Sequence, residues 1–183
     1  LANQDSLDAG ALAVGHDEIG VAARRLREDG FVVLPAATSS EVIGATDRSW
    51  ARLFRHWDEP ALDGYMNDGG TYRYRRYGRY VTSDSETGKP APQGRHRDGI
   101  DYVTSLVIDR HNITGGESSV YTDDGKRRAV VTLSPGDQLL LSDRRMLHDV
   151  TPVRPADPLR SAHRDVLLVD FSRSDELGPA DEP

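Results

Sequence analysis

His96 and Asp98 flank a single arginine, and His148 follows fifty-two positions after the first histidine. On an extended strand, side chains two apart share a face, so His96 and Asp98 can grip one cation from the same side while a neighbouring strand delivers His148. Two imidazoles and one carboxylate on one side of a metal leave the opposite coordination positions open. That donor set suits a mononuclear non-haem Fe(II) centre at which a cosubstrate and O2 both need access. A three-residue HxD pattern recurs by chance in many soluble chains, so its surroundings carry the weight.

His148 lies in Asp143-Arg144-Arg145-Met146-Leu147-His148-Asp149-Val150-Thr151-Pro152, where a short apolar strand ends in a turn. Sixteen residues on, Arg164 precedes Val166-Leu167-Leu168-Val169, which puts a guanidinium at the mouth of a buried strand. Such a fork binds a carboxylate bidentately and suits the far end of a dicarboxylate that chelates the metal; Arg160 is the competing anchor. The segment Tyr72 to Tyr80 interleaves four tyrosines with four arginines. It reads either as a half-buried strand with a cationic face or as a pocket wall for anionic substrate groups. The histidines at 16, 56, 111 and 163 show no partner spacing and read as solvated or structural, with His163 a candidate to support the site from behind.

The elements that must position these residues fall into two parts. Asp17 to Asp29 has helical spacing and stops at Gly30; Phe31 to Leu34 is a strand closed by Pro35; a second helix, capped by Ser39 or Ser40, runs past Trp50, Leu53 and Phe54 to Trp57. Beyond Gly69-Gly70 the pattern predicts strands at 72–81, 100–108, 118–122, 129–133, 138–142, 147–151 and 165–171. Gly115-Gly116, Asp124-Gly125 and Ser134-Pro135-Gly136-Asp137 provide turns between them. The expectation is a mainly β fold with N-terminal helices, a double-sheet jelly roll of cupin-like kind. The 183 residues suit one domain: a helical part over 1–60, a jelly-roll core over about 71–172 and a loose tail over 173–183.

Composition narrows the function classes. The absence of cysteine excludes thiolate zinc, iron–sulfur clusters and cysteine nucleophiles. A net charge of −7 argues against a general nucleic-acid binder. No apolar run approaches the roughly twenty residues of a membrane span, and no basic leader precedes an apolar core, so a cytoplasmic protein with no membrane partner is expected. GxSxG, HExxH, P-loop and Rossmann patterns are absent.

Several blocks occur in one order: Pro92-Gln-Gly-Arg-His96-Arg-Asp98-Gly-Ile-Asp101, Arg110-His-Asn112-Ile-Thr-Gly115-Gly116-Glu117-Ser118, Pro135-Gly-Asp137, Asp143 to Pro152, and His163-Arg164-Asp165. On these motifs the chain, from about Pro92 to Phe171, resembles Fe(II)/2-oxoglutarate-dependent dioxygenases. More narrowly, it is similar to the bacterial hydroxylases of free amino acids (L-isoleucine 4-hydroxylase-like). It departs from that family in the stretch Val81 to Gln93, which is shorter than the usual separation between the Arg/Tyr-rich strand and HxD.

The resemblance implies a double-stranded β-helix with His96, Asp98 and His148 as catalytic iron ligands and Arg164 as anchor for the distal carboxylate of 2-oxoglutarate. It implies hydroxylation of an unactivated C–H in a free L-amino acid or similar small molecule. The cofactor set would be Fe(II), 2-oxoglutarate and O2, with succinate and CO2 as coproducts and ascorbate as the reductant in vitro. A ligand carboxylate at Asp98 fills the place a halide would need, which favours hydroxylation over halogenation. For an amino-acid substrate, Arg75, Arg76 or Arg79 would meet the carboxylate and Asp101 or Glu117 the ammonium. Two other classes fit the residues alone: a non-catalytic jelly-roll binding module, and a cupin-type metal-dependent hydrolase or isomerase.

Overall fold

The computed structural model describes residues 18–44, 77–82 and 87–172. Among these there are two helices and ten strands: α1 (Glu18–Asp29), β1 (Phe31–Leu34), α2 (Ala36–Ile43), β2 (Tyr77–Thr82), β3 (Tyr102–His111), β4 (Ile113–Gly115), β5 (Ser118–Tyr121), β6 (Arg127–Val131), β7 (Gln138–Ser142), β8 (Leu147–Val150), β9 (Val153–Pro155) and β10 (Ala162–Phe171). A five-stranded antiparallel sheet has the order β1-β7-β3-β10-β2, a three-stranded one the order β6-β5-β8, and β4 pairs with β9. From β3 onward the chain crosses repeatedly between the two larger sheets, which is the winding of a jelly roll. Val103, Val107, Leu139, Leu141 and Val166 of the large sheet pack with Val120, Leu133, Met146 and Val153 to form the core. No described helix is long and apolar enough to cross a membrane.

Turn chemistry explains much of this path. Pro135 and Gly136, with Gly136 at φ +89° and Asp137 N–H donating to the Ser134 carbonyl at 2.9 Å, make the type II turn that feeds β7. The Asp137 carboxylate then accepts Ala36 N–H at 3.1 Å and Ser134 N–H at 2.9 Å. Helix α2 therefore begins after Pro35, four residues earlier than the Ser39 cap predicts, because a carboxylate from another turn takes up a free N–H of its first turn. Ser39 is buried inside the helix and donates its hydroxyl to the Leu34 carbonyl at 3.2 Å. Gly44, left-handed at φ 65°, caps the C-terminus, so the helix ends earlier than expected; Trp50, Leu53, Phe54 and Trp57 lie outside the described residues, as does the tail from Arg173.

The predicted strands correspond to β1, β2, β3, β5, β6, β7, β8 and β10, whereas the three-residue strands β4 and β9 are additions. A second correction concerns His96 and Asp98, which do not lie on a strand. They sit in a loop between left-handed Gly94 (φ 74°) and Gly99 (φ 84°), and His96 makes an isolated antiparallel bridge to His148.

Candidate metal centre

His148 is the second residue of β8, opposite Val120 of β5. The bridge to His96 uses two backbone hydrogen bonds, His96 N–H to the His148 carbonyl and the reverse, each 3.0 Å. That pairing brings the two rings to a centroid separation of 4.4 Å with a 50° tilt. Asp98 lies between them: one carboxylate oxygen is 3.6 Å from His96 Nε2 and the other 3.6 Å from His148 Nε2. The ligating atoms of all three residues fall within 4.8 Å of one another, and their side chains are 17%, 14% and 13% exposed in sequence order.

The donor chemistry fits a divalent iron. His96 Nδ1 lies 2.8 Å from the Gly94 carbonyl, so donation there leaves the Nε2 lone pair facing the other two ligands. Burial pushes the His148 pKa below the ordinary value of 6.5, and neighbouring His96 adds to the effect against the opposing pull of Asp98. Both forces keep this imidazole neutral at physiological pH, the form in which it binds metal. Its Nδ1 is buried and has no hydrogen-bond partner, so the ring is held by the strand rather than by a second polar contact.

A cleft opens beside the three ligands. It is walled by Pro90, Ala91, Val103, Ser105, Val150, Arg164, Val166, Leu168 and Asp170 as well as by His96, Asp98 and His148. Arg164, Val166, Leu168 and Asp170 alternate along β10 and so present one face to it. Arg164 is 2% exposed and stands opposite Arg110 of β3. The Arg110 guanidinium donates to the Gly115 carbonyl at 2.5 Å, while its other terminal nitrogen is buried without a partner. Burial lowers the Arg110 pKa against the opposing charge of Glu117. Gly116 is required where it stands: at φ 70°, a Cβ there would come within 3.0 Å of Val153, 3.1 Å of the Arg110 guanidinium and 3.2 Å of Arg164 Cδ.

Among the described residues, the other sequence candidates Arg160, Asp101 and Glu117 do not line the cleft. Arg160 is exposed in the loop before β10 and does not line the cleft. Asp101 is buried but accepts a hydrogen bond from Arg144 Nε at 2.5 Å, away from the cleft lining. Glu117 is exposed at the start of β5, where its backbone exchanges hydrogen bonds with Thr151. Arg75 and Arg76 lie outside the described residues, and Arg79 occupies a β2 register position opposite Asp165. His163 bonds Asp109 at 2.8 Å and stacks on His111 at 5.5 Å, outside the cleft lining. Asp170 and Arg110 emerge only from the structure, although the alternation that selects Arg164 on β10 also selects Asp170, and Arg110 opens the motif that runs to Ser118.

Comparison with known proteins gives a consistent answer. A curated relative, 3(1)-hydroxy-L-isoleucine 4-dioxygenase of Pantoea ananatis, is 27% identical over 132 residues, covering 68% of this chain and 53% of the relative. The chain thus spans about half the length of that protein. The crystal structure of a BsmA homologue from Methylobium petroleophilum superposes with a TM-score of 0.71 at 25% identity, over 85% of this chain and 93% of the other. The crystal structure of IDO from Bacillus thuringiensis shares the fold, with a TM-score of 0.62 at 14% identity over 85% and 99% of the two chains. The family model for 2OG-Fe dioxygenases matches residues 79–170, which run from β2 through both ligand segments almost to the end of β10. With half of its length matched, this chain belongs to the 2OG-Fe dioxygenase family, whose chemistry uses Fe(II), 2-oxoglutarate and O2.

Proposed function

We propose that the protein hydroxylates an unactivated C–H bond of a free L-amino acid or a similar small molecule. In this reading His96, Asp98 and His148 hold the iron, and Arg164 anchors the distal carboxylate of 2-oxoglutarate. The observation that carries it is the convergence of three ligating atoms within 4.8 Å at the side of a cleft that also contains a buried guanidinium. Bound Fe(II) supplies O2 activation coupled to the oxidative decarboxylation of 2-oxoglutarate. The chain supplies orientation and exclusion of water. Gly94 fixes the His96 tautomer; the Arg164 fork matches a carboxylate in two hydrogen bonds; Val103, Val150, Val166 and Leu168 line the space with apolar surface.

The substrate class rests on two further points. The relative from Pantoea ananatis is named for an amino-acid substrate. The cleft wall carries Asp170 near the far end of β10 from Arg164, an acid suited to an ammonium group. Asp170 therefore replaces Asp101 and Glu117 as the proposed contact to that group.

The test incubates the protein with Fe(II), 2-oxoglutarate, ascorbate and a panel of free amino acids beside their N-acetyl forms, and measures succinate and products heavier by one oxygen atom. Stoichiometric succinate and hydroxylated free amino acid are expected, with weaker turnover of the N-acetyl forms. Turnover that ignores 2-oxoglutarate would overturn the reading.

A further inference from the structure

Five residues before His148, the Asp143 side chain is buried at 1% exposure and faces the loop that carries the other two ligands. One of its oxygens accepts Asp98 N–H at 3.0 Å; the other accepts Gly99 N–H at 2.7 Å and Ile100 N–H at 3.1 Å. Its own backbone N–H donates to the Asp101 carbonyl at 3.0 Å, and the next residue, Arg144, holds the Asp101 carboxylate. Three consecutive amides aimed at one carboxylate form an anion nest, and charge-assisted bonds of this kind are roughly twice as strong as neutral ones. Left-handed Gly99 gives the loop the curvature that lets all three N–H groups converge.

The segment that supplies Asp143 is itself tied down. Arg145 donates to the Arg27 and Glu28 carbonyls at the end of α1, at 2.5 and 2.9 Å, and Met146 packs against Gly30. Asp98 has no strand of its own to orient it. Its backbone is instead fastened to the turn that leads into the strand of His148.

We propose that Asp143 is a positioning residue for the metal centre: by gathering the amides of residues 98–100 it fixes where Asp98 presents its carboxylate, and so sets metal affinity and coordination geometry. This rests on the assignment of His96, Asp98 and His148 as ligands. Supporting groups behind metal ligands typically cost about 10–100-fold in metal affinity when replaced. Asp143→Asn preserves size but turns one acceptor into an amide that meets the loop N–H groups donor to donor.

The experiment titrates the full chain anaerobically with Co(II) and follows its visible d–d absorption, with near-UV circular dichroism to verify the fold. Wild type is expected to bind tightly and His148→Ala not to bind. Asp143→Asn is expected to bind about 10–100-fold more weakly, with shifted d–d bands that mere loss of stability would not produce. Should Asp143→Asn fail to fold, Gly99→Ala tests the same cradle from the backbone side, because its Cβ meets no atom within 4 Å and only the left-handed φ is strained. A folded Asp143→Asn, or in its place a folded Gly99→Ala, with wild-type affinity and spectrum overturns the positioning role while leaving the ligand assignment intact. Wild type that does not bind Co(II), or His148→Ala that binds equally well, overturns the ligand assignment and this inference together.

Discussion

The two segments that meet at the metal centre are held in different ways. His148 belongs to β8, and its place follows from the pairing of that strand with β5. His96 and Asp98 occupy a loop fixed by side chains: Asp143 on the amides of 98–100, Arg97 on Asp123 and the Met146 carbonyl, and Arg95 over the Tyr121 ring at 3.6 Å. The contrast extends to the rings, since His96 Nδ1 has an acceptor and His148 Nδ1 has none. A regular ladder makes individual polar contacts dispensable for orientation; a loop needs several. Errors in the supports of the loop should therefore appear as changed metal binding, loss of a ligand from either segment should abolish it, and errors on the neighbouring strand β10 should appear as changed cosubstrate binding or stability.

Removing a strand-borne ligand is the strongest way to break the comparison. His148→Ala is expected to abolish succinate formation and hydroxylation together, a loss of at least about 10³-fold on the scale of removed catalytic groups, read by product analysis. Full activity in that variant would sink the ligand assignment. The next effect comes from Arg164→Lys, which replaces a planar fork by a point charge. Losing one charge-assisted hydrogen bond costs about 1.5–3 kcal/mol, so the KM for 2-oxoglutarate should rise roughly 10–100-fold while Co(II) affinity holds. A KM unchanged by this substitution would separate Arg164 from the cosubstrate.

Gly116→Ala sharpens the contrast without touching a functional group. Left-handed strain costs roughly 1–2 kcal/mol, and the added methyl presses on Arg110, Arg164 and Val153. A lower melting temperature and a several-fold rise in KM for 2-oxoglutarate are expected by thermal denaturation and steady-state kinetics, again with Co(II) affinity preserved. An unaltered melting temperature would contradict the packing described around Gly116.

The smallest effect lies outside the cleft lining, at Asp109. Burial raises its pKa, but the hydrogen bond from His163 and the Arg110 N–H outweigh that and leave it lowered from 3.8. A lowered carboxylate pKa stabilises the fold above the unfolded value of about 3.8–3.9 and loses that contribution as pH falls through the folded value. Because the carboxylate is about half exposed, Asp109→Asn should cost under about 1 kcal/mol at neutral pH, and the difference from wild type should vanish in denaturant melts at strongly acid pH. A difference that grew on acidification would reverse the sign of this linkage.

Local pattern explains why some elements were legible in the amino-acid sequence. β1 and β7 are apolar runs, so sequence alone marks both ends of β1, at Gly30 and Pro35, and the start of β7, after Pro135-Gly136. β4 and β9 are three residues each and contain Gly115 and Pro155; they exist because they pair with one another, which no local propensity records. The start of α2 differs from the local pattern for a similar reason, since its first-turn acceptor is Asp137, a hundred and one residues from Ala36. For the site, residue type and order single out His96, Asp98 and His148, whose ligating atoms converge, and Arg164, which lines the same cleft. The expected strand under HxD was wrong because glycines at 94 and 99 turn the chain out of an extended path, although the two side chains still converge. Asp101 and Glu117 show what polarity without facing leaves out: neither lines the cleft, Asp101 accepting from Arg144 and Glu117 lying exposed beside β5.

The run Arg164, Val166, Leu168, Asp170 has a geometric corollary. A strand advances about 3.3 Å per residue, so successive members of this series lie roughly 6.6 Å apart along the backbone. β10 thus acts as a graduated ruler along the cleft, fixed at one end by a positive mark and at the other by a negative one. Exchanging Leu168 for a smaller or larger side chain alters one graduation and leaves both end marks where they are, which makes that position the natural dial for the length of molecule the cleft accommodates.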